Sequence, residues 1–225
     1  WIGMILFTIT CIAFTVGISQ GHYWGWFGIK TLGAFFITLI LLLTFIYVEK
    51  KRSYPLIEFD LFKVQNFLVA NLAGFTCYFL MTSWLVVFGI YLQRVVGMTA
   101  VKAGLSFLPF GIVLAIVSTQ MGKLSKRFGP KRLIVVGYFF GVLAFLGLSL
   151  LGPLPDYWLL ALFFALYGLN FVLVNGNSIP AALEFIPVKK AGVSSAIAMM
   201  IRWLGGALGS AIIAAIFITH SVIYM

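Results

Sequence analysis

Charge is what this sequence has least of: 9% of its 225 residues are charged, and only five of those are acidic. A water-soluble domain usually carries about 25% charged residues, so this composition excludes a conventionally solvated surface. The acids are Glu49, Glu58, Asp60, Asp156 and Glu184, and each is read as lying in a loop or at a helix end. A membrane-buried carboxylate able to take up and release a proton is therefore missing from this stretch. Histidine and cysteine are equally sparse, with His22, His220, Cys11 and Cys77 far apart in sequence. No nucleophile constellation or metal-ligand spacing follows from them, so no catalytic residue, metal or cofactor is assigned and an enzyme is not expected. Both cysteines fall in apolar stretches, where a thiol behaves as a small hydrophobe and reports nothing on redox compartment. Both histidines are read as interfacial residues. A signal-peptide pattern is also absent. The chain opens on Trp1 inside an apolar run, so its N-terminus is expected to be truncated.

What fills the sequence is apolar: 63% hydrophobic residues and a mean hydropathy of +1.13. Seven stretches of near membrane-spanning length recur, at about 1–19, 29–48, 67–92, 103–121, 133–152, 157–178 and 192–219. At 1.5 Å rise per residue, each approaches the ~30 Å hydrocarbon thickness of a bilayer. The fold class expected is all-α, a polytopic transmembrane helical bundle with the lipid bilayer as its first partner. Short polar or Gly/Pro-containing connections separate the spans, so consecutive helices should alternate in direction.

The net charge of +10 would suggest nucleic acid in a soluble protein, but its placement argues otherwise. Lys50, Lys51, Arg52 and Lys63 lie in the second connection, Lys123, Lys126, Arg127, Lys131 and Arg132 in the fourth, and Lys189 and Lys190 in the sixth. Alternation puts these three connections on one side. The positive-inside rule makes that side cytoplasmic, with residue 1 inside and Met225 outside. The basic excess is thus a topology signal, and no nucleic-acid partner is expected. Tyr23, Trp24 and Trp26 fall at the outer boundary, where amphipathic rings anchor in the headgroup layer.

Three motifs carry a resemblance. Gly122-Lys-Leu-Ser-Lys-Arg-Phe-Gly-Pro-Lys-Arg132 is similar to the basic loop motif G-x-L-a-D-r-x-G-x-k-x of the major facilitator superfamily. Tyr91-Leu-Gln-Arg-Val-Val-Gly97, followed by Ala103-Gly104-Leu105 and Pro109, resembles the Y-L-Q-x-x-x-G... A-G-L-x-x-x-P run of its fourteen-helix drug/proton antiporter branch (EmrB/QacA-like). Arg202-Trp-Leu-Gly-Gly-Ala-Leu-Gly209 is similar to that branch's R-x-x-G-G-x-x-G helix. Pro55-Leu56 and Leu61-Phe62 also fit the loop that the branch places before its C-terminal half.

The resemblance implies that 1–48 are two central linker-type helices, 49–66 a cytoplasmic loop, and 67–225 five helices of a C-terminal bundle whose last helix is absent. Six helices would precede this chain, and proton coupling would reside in that missing N-terminal half. In the loop motif the usually acidic position is Lys126. Gly122 and Gly129 should permit a tight turn, with Arg127, Lys131 and Arg132 placed to meet lipid headgroups or helix C-termini.

A transporter needs polar groups between helices, and two helical faces supply them. Asn71, Tyr78, Thr82 and Gly89 share one line on the third span; Phe163, Asn170 and Asn177 share one on the sixth, with Tyr167 nearby. Interhelical hydrogen bonding explains such residues as well as substrate contact does. Arg202 lies a third of the way into the last span, where a guanidinium should face protein or a water-filled cavity. Gly205, Gly206 and Gly209 permit close helix approach, and Pro109 should kink its helix. The expected function is secondary efflux of small amphipathic molecules by alternating access in the bacterial plasma membrane, with this chain an incomplete piece. The alternative is a non-transporting membrane remnant or a structural partner subunit. A seven-helix receptor is disfavoured, because its N-terminus would lie outside.

Overall fold

The computed structural model describes residues 2–25, 27–51, 59–152 and 155–223. Trp26, Arg52, Pro55-Leu56 and Glu58, with the side chains of His22, Tyr23, Lys50, Asp60, Lys189 and His220, lie outside the described residues. Among the described residues eight α-helices follow in order: α1 (Ile2–Trp24), α2 (Ile29–Lys50), α3 (Gln65–Ile90), α4 (Ala100–Ser106), α5 (Leu108–Phe128), α6 (Pro130–Ser149), α7 (Tyr157–Leu183) and α8 (Ala191–Ile223). Among the described residues, six helical segments are long and apolar enough to cross a membrane; α1 contributes a shorter apolar stretch, Ile5–Ile18. A polytopic helical bundle is what the structure forms.

Prolines and glycines set the details that hydropathy leaves open. Pro109 does more than kink its span. It lacks the N–H that would bond back to Leu105, and the helix breaks at Phe107 into α4 and α5. Gly129 alone makes the turn between α5 and α6, at φ 80 and ψ 149, a conformation essentially restricted to glycine. Gly122 lies inside α5 with open space around it. Conversely, α7 runs through Pro180 to Leu183, five residues past the expected end.

Neighbour relations give the threading. Gly137 meets Val174, Gly141 meets Asn170 and Gly147 meets Phe163, so α6 and α7 are antiparallel. Gly74 meets Ser178 while Trp84 packs on Phe164, so α3 and α7 are antiparallel too. Gly205 lies on Phe75 and Gly209 on Phe79, which makes α3 and α8 parallel; Gly168 by Phe110 and Gly176 by Met121 make α5 and α7 parallel. Each relation is the one that strict alternation requires. The α1–α2 hairpin joins the rest through α1, which packs on α8.

The three basic connections do share one end. Leu61 and Phe67, before and at the start of α3, cluster with Ala181, Ala182 and Ile197, and Ile134 and Ile186 pack against them. Lys131 reaches Glu184 at 3.3 Å. At the opposite end Tyr91 donates to the Gly152 carbonyl at 2.7 Å, over an aromatic nest of Trp84, Phe88, Phe107, Phe164 and Tyr167. The outer surface stays apolar, with Ile112, Ile116, Val135, Phe139 and Leu146 exposed. Water would not tolerate so continuous a patch, whereas lipid matches it. Several hydroxyls within the spans bond back to their own helix, as Thr10 does to Leu6 and Thr38 to Ala34, which removes the cost of leaving them bare in hydrocarbon.

Candidate functional site

Arg202 is a buried cation bonded at several points across the bundle. It sits about 16 Å along α8 from Ala191 and is 4% exposed. Its guanidinium crosses to α7, donating to Asn175 Oδ1 at 3.0 Å, to the Asn175 carbonyl at 3.4 Å and to Ser178 Oγ. Gly74 on α3 makes room for it: a Cβ there would lie 2.9 Å from Arg202 Nε. Three helices thus meet around one cation, and all its acceptors are neutral.

The acids whose side chains are described lie elsewhere. Glu49 is buried at the end of α2, Asp156 caps α7 by accepting from the Trp158 N–H at 3.0 Å, and Glu184 pairs with Lys131. Among the described residues no group of three or more His, Cys, Asp or Glu is placed to hold a metal ion.

Beside the arginine, Tyr78 stands between Phe171 of α7 and Trp203 of α8, at ring-centroid distances of 5.8 and 5.4 Å. Trp203 is 65% exposed. Arg202 therefore faces inward while its neighbour presents an aromatic surface outward, so charge and amphipathic ring occupy adjoining places on α3, α7 and α8.

The other polar candidates are distributed over separate contacts. Thr82 donates to the Gly206 carbonyl at 2.8 Å, tying α3 to α8. Asn71 turns its amide onto the Phe67 carbonyl of its own helix at 2.8 Å. Asn170 donates to the Gly137 carbonyl of α6 at 2.9 Å, whereas Asn177, on the same face of α7, donates to Leu173 at 2.7 Å and meets Met121 Sδ of α5 at 3.2 Å. One helical line thus serves two different neighbours. Asn175 and Ser178 were not singled out from the sequence. Their three-residue spacing on α7 is the available signal, but only Arg202 opposite gives it meaning.

Gly205, Gly206 and Gly209 line the α3–α8 contact. A Cβ at Gly209 would meet the Phe79 carbonyl and lie 2.7 Å from Thr82 Oγ1; at Gly206 it would lie 3.3 Å from Thr82 Cγ2; at Gly205 it would meet the Phe75 carbonyl. In the basic turn, Arg127 lies over the Phe128 ring at 5.2 Å and Lys131 over Phe185 at 5.0 Å, while Arg132 is exposed.

Comparison with known proteins places this arrangement. Over 225 residues the chain is 30% identical to the MFS-type transporter EfpA of Mycobacterium tuberculosis, covering 99% of this chain and 42% of EfpA. It is 26% identical over 214 residues to the multidrug resistance protein Stp of the same organism, covering 95% of this chain and 40% of Stp. It is 25% identical over 211 residues to the tetracenomycin C resistance and export protein of Streptomyces glaucescens, covering 94% and 39%. The chain spans about two fifths of the length of these relatives. The Major Facilitator Superfamily model matches residues 1–210, and with the helical bundle described above the chain belongs to that family.

Proposed function

We propose that this chain is the C-terminal portion of a secondary efflux transporter that exports small amphipathic molecules by alternating access. The observation that carries the reading is its likeness, along nearly its whole length, to relatives named for multidrug resistance and export. In this reading α1 and α2 are the central pair of a fourteen-helix antiporter, 49–66 is a cytoplasmic loop, and 67–225 belong to the C-terminal bundle. Two bundles rocking about a central site expose it to each side in turn, and this chain supplies one wall of that site.

The substrate path runs past Tyr78, Thr82 and Arg202, where aromatic surface and buried charge adjoin, with Asn71, Asn170 and Asn177 as further polar positions. An amphipathic substrate suits such a lining, because rings accept its apolar part while few polar groups orient the rest. The proton-coupling carboxylate lies outside this chain. The basic connections face the cytoplasm of a bacterial cell, so the N-terminal end is inside and the C-terminal end outside.

The test compares this 225-residue chain with the complete reading frame containing it, each reconstituted in liposomes with an imposed pH gradient and loaded with ethidium. The complete protein should move ethidium and the chain alone should not. Proton-driven transport by the chain alone would overturn its reading as an incomplete piece; a complete protein inert toward ethidium and a panel of amphipathic compounds would overturn the efflux reading.

A further inference from the structure

Four aromatic rings from four helices stand in a row across the bundle. Phe110 of α5 lies 5.9 Å from Phe171 of α7, Phe171 lies 5.8 Å from Tyr78 of α3, and Tyr78 lies 5.4 Å from Trp203 of α8, centroid to centroid. Phe171 is buried, Phe110 and Tyr78 are partly buried, and Trp203 at the end of the row is 65% exposed. The inner rings are fixed by packing, and they back an outer ring that is open.

That outer ring sits at an unusual depth for tryptophan. Trp203 is near the middle of the 27-residue apolar span Ala191–Phe217, about 18 Å along the helix from Ala191, whereas indoles collect in the headgroup layer at membrane boundaries. Among the described residues its ring meets Tyr78 and its N–H finds no acceptor. Acyl chains supply none, and an unmet donor in hydrocarbon is costly; a hydrated path meets that need where lipid does not. The placement on α3 agrees. Tyr78 points roughly 140° around the helix from Ala73, whose carbonyl accepts from the Tyr138 hydroxyl of α6. The Tyr78–Trp203 pair therefore lies on the side of α3 away from α6, where α7 and α8 both meet α3.

The shape of the pair indicates what it would hold. Tyr78 and Trp203 meet at 68°, so they form a corner and not a stack. Gly206 beside them leaves the corner unfilled, since a Cβ there would already meet Tyr78 Cδ1 at 3.8 Å. A flat ring system set in such a corner meets one wall in offset stacking and the other edge to face, both favoured aromatic geometries. A flexible alkyl chain gains only the area it buries. We propose that this corner seats the exported compound, and that Trp203 selects flat, fused aromatic ring systems over flexible alkyl amphiphiles. The inference rests on the efflux reading above and adds a substrate class to it. Arg202, one residue away, is turned toward Asn175 and Ser178 of α7, so the corner itself reads ring shape.

The test measures export of two singly charged cations by the complete reading frame containing this chain, in liposomes with an imposed pH gradient: ethidium, flat and fused, and radiolabelled dodecyltrimethylammonium, a flexible chain. The wild type should have the lower KM for ethidium. Trp203→Leu should raise that KM about fivefold and leave the KM for the alkyl cation unaltered, while Trp203→Phe, which keeps a smaller ring, should fall between wild type and Trp203→Leu. Trp203→Met decides if Trp203→Leu is not recovered in the membrane. Equal changes for both cations, a Trp203→Phe KM as high as that of Trp203→Leu, or a wild type that prefers the alkyl cation overturns the proposal. If Trp203→Leu exports ethidium with an unaltered KM, the corner fails and the efflux reading stands; a wild type that exports neither cation nor a wider amphipathic panel sinks both.

Discussion

Arg202 of α8 and Asn175 of α7 are joined twice, through the amide Oδ1 at 3.0 Å and the backbone carbonyl at 3.4 Å. Neither acceptor carries charge, so the pair fixes the geometry of a buried cation without neutralising it. Hydrocarbon makes such a cation expensive, about 2.5 kcal/mol or more even on the lenient insertion scales. A residue so placed holds α7 and α8 together while keeping an electrostatic demand that an anionic group approaching along the proposed path can meet.

The first prediction concerns that demand. Arg202→Ala strips Asn175 and Ser178 of their donor and leaves a cavity, and should destabilise the bundle by about 2 to 4 kcal/mol. Arg202→Met fills most of the cavity but also leaves Asn175 and Ser178 without their donor, so it should destabilise by less than the Ala variant, about 1 to 3 kcal/mol, while lowering transport by the complete protein at least as much. Thermal unfolding in detergent alongside ethidium efflux checks both. Full transport by Arg202→Met would show that the charge has no part in the path.

A second prediction separates glycines that look alike in sequence. Gly209→Ala drives a methyl against the Phe79 carbonyl and the hydroxyls of Thr82 and Ser83, and should cost about 1 to 3 kcal/mol by forcing α3 and α8 apart. Gly104→Ala, in the interior of α4 with open space around it, should be neutral or stabilising by up to about 1 kcal/mol. Unfolding midpoints of the two variants should move in different directions.

Much of the fold was legible because membrane helices must be long, apolar and internally bonded, and because Lys and Arg mark one side. The seven stretches and the common end of the basic connections follow from those constraints alone. What was not legible depends on partners. Asn170 and Asn177 share a helical line, but which helix each meets is decided by the packing of α5 and α6 against α7. Arg202 stood out by its depth, whereas Asn175, Ser178 and the notch at Gly74 acquire significance only across an interface. Pro109 and Pro180 carry the same local chemistry; one ends a helix and the other lies within one, and hydropathy does not distinguish them.

The turn between α5 and α6 yields the third prediction. Gly129 alone links Phe128 to Pro130, with φ 80, so Gly129→Ala should cost about 1 to 3 kcal/mol from backbone strain although no atom crowds the site. Gly122→Ala, inside α5 and equally uncrowded, should show no such loss. Equal midpoints for the two variants would contradict the assignment of the turn to Gly129.

The fourth concerns Lys131 and Glu184, which bridge the α5–α6 and α7–α8 ends at 3.3 Å but are 54% and 41% exposed. Their coupling energy in a double-mutant cycle should be under about 1 kcal/mol and should shrink with added salt. A larger, salt-insensitive coupling would mean that this end is enclosed in the working protein.

The threading of the chain is the central claim, and cysteine accessibility tests it. With Cys11 and Cys77 replaced by Ala, a single cysteine at Lys126 in the basic turn and another at Gly152 near the Tyr91 end are exposed in intact cells to a membrane-impermeant maleimide. Gly152→Cys should be labelled at once and Lys126→Cys only after permeabilisation. Immediate labelling at Lys126 with protection at Gly152 would reverse the orientation, and immediate labelling at both would remove the bundle from the membrane altogether.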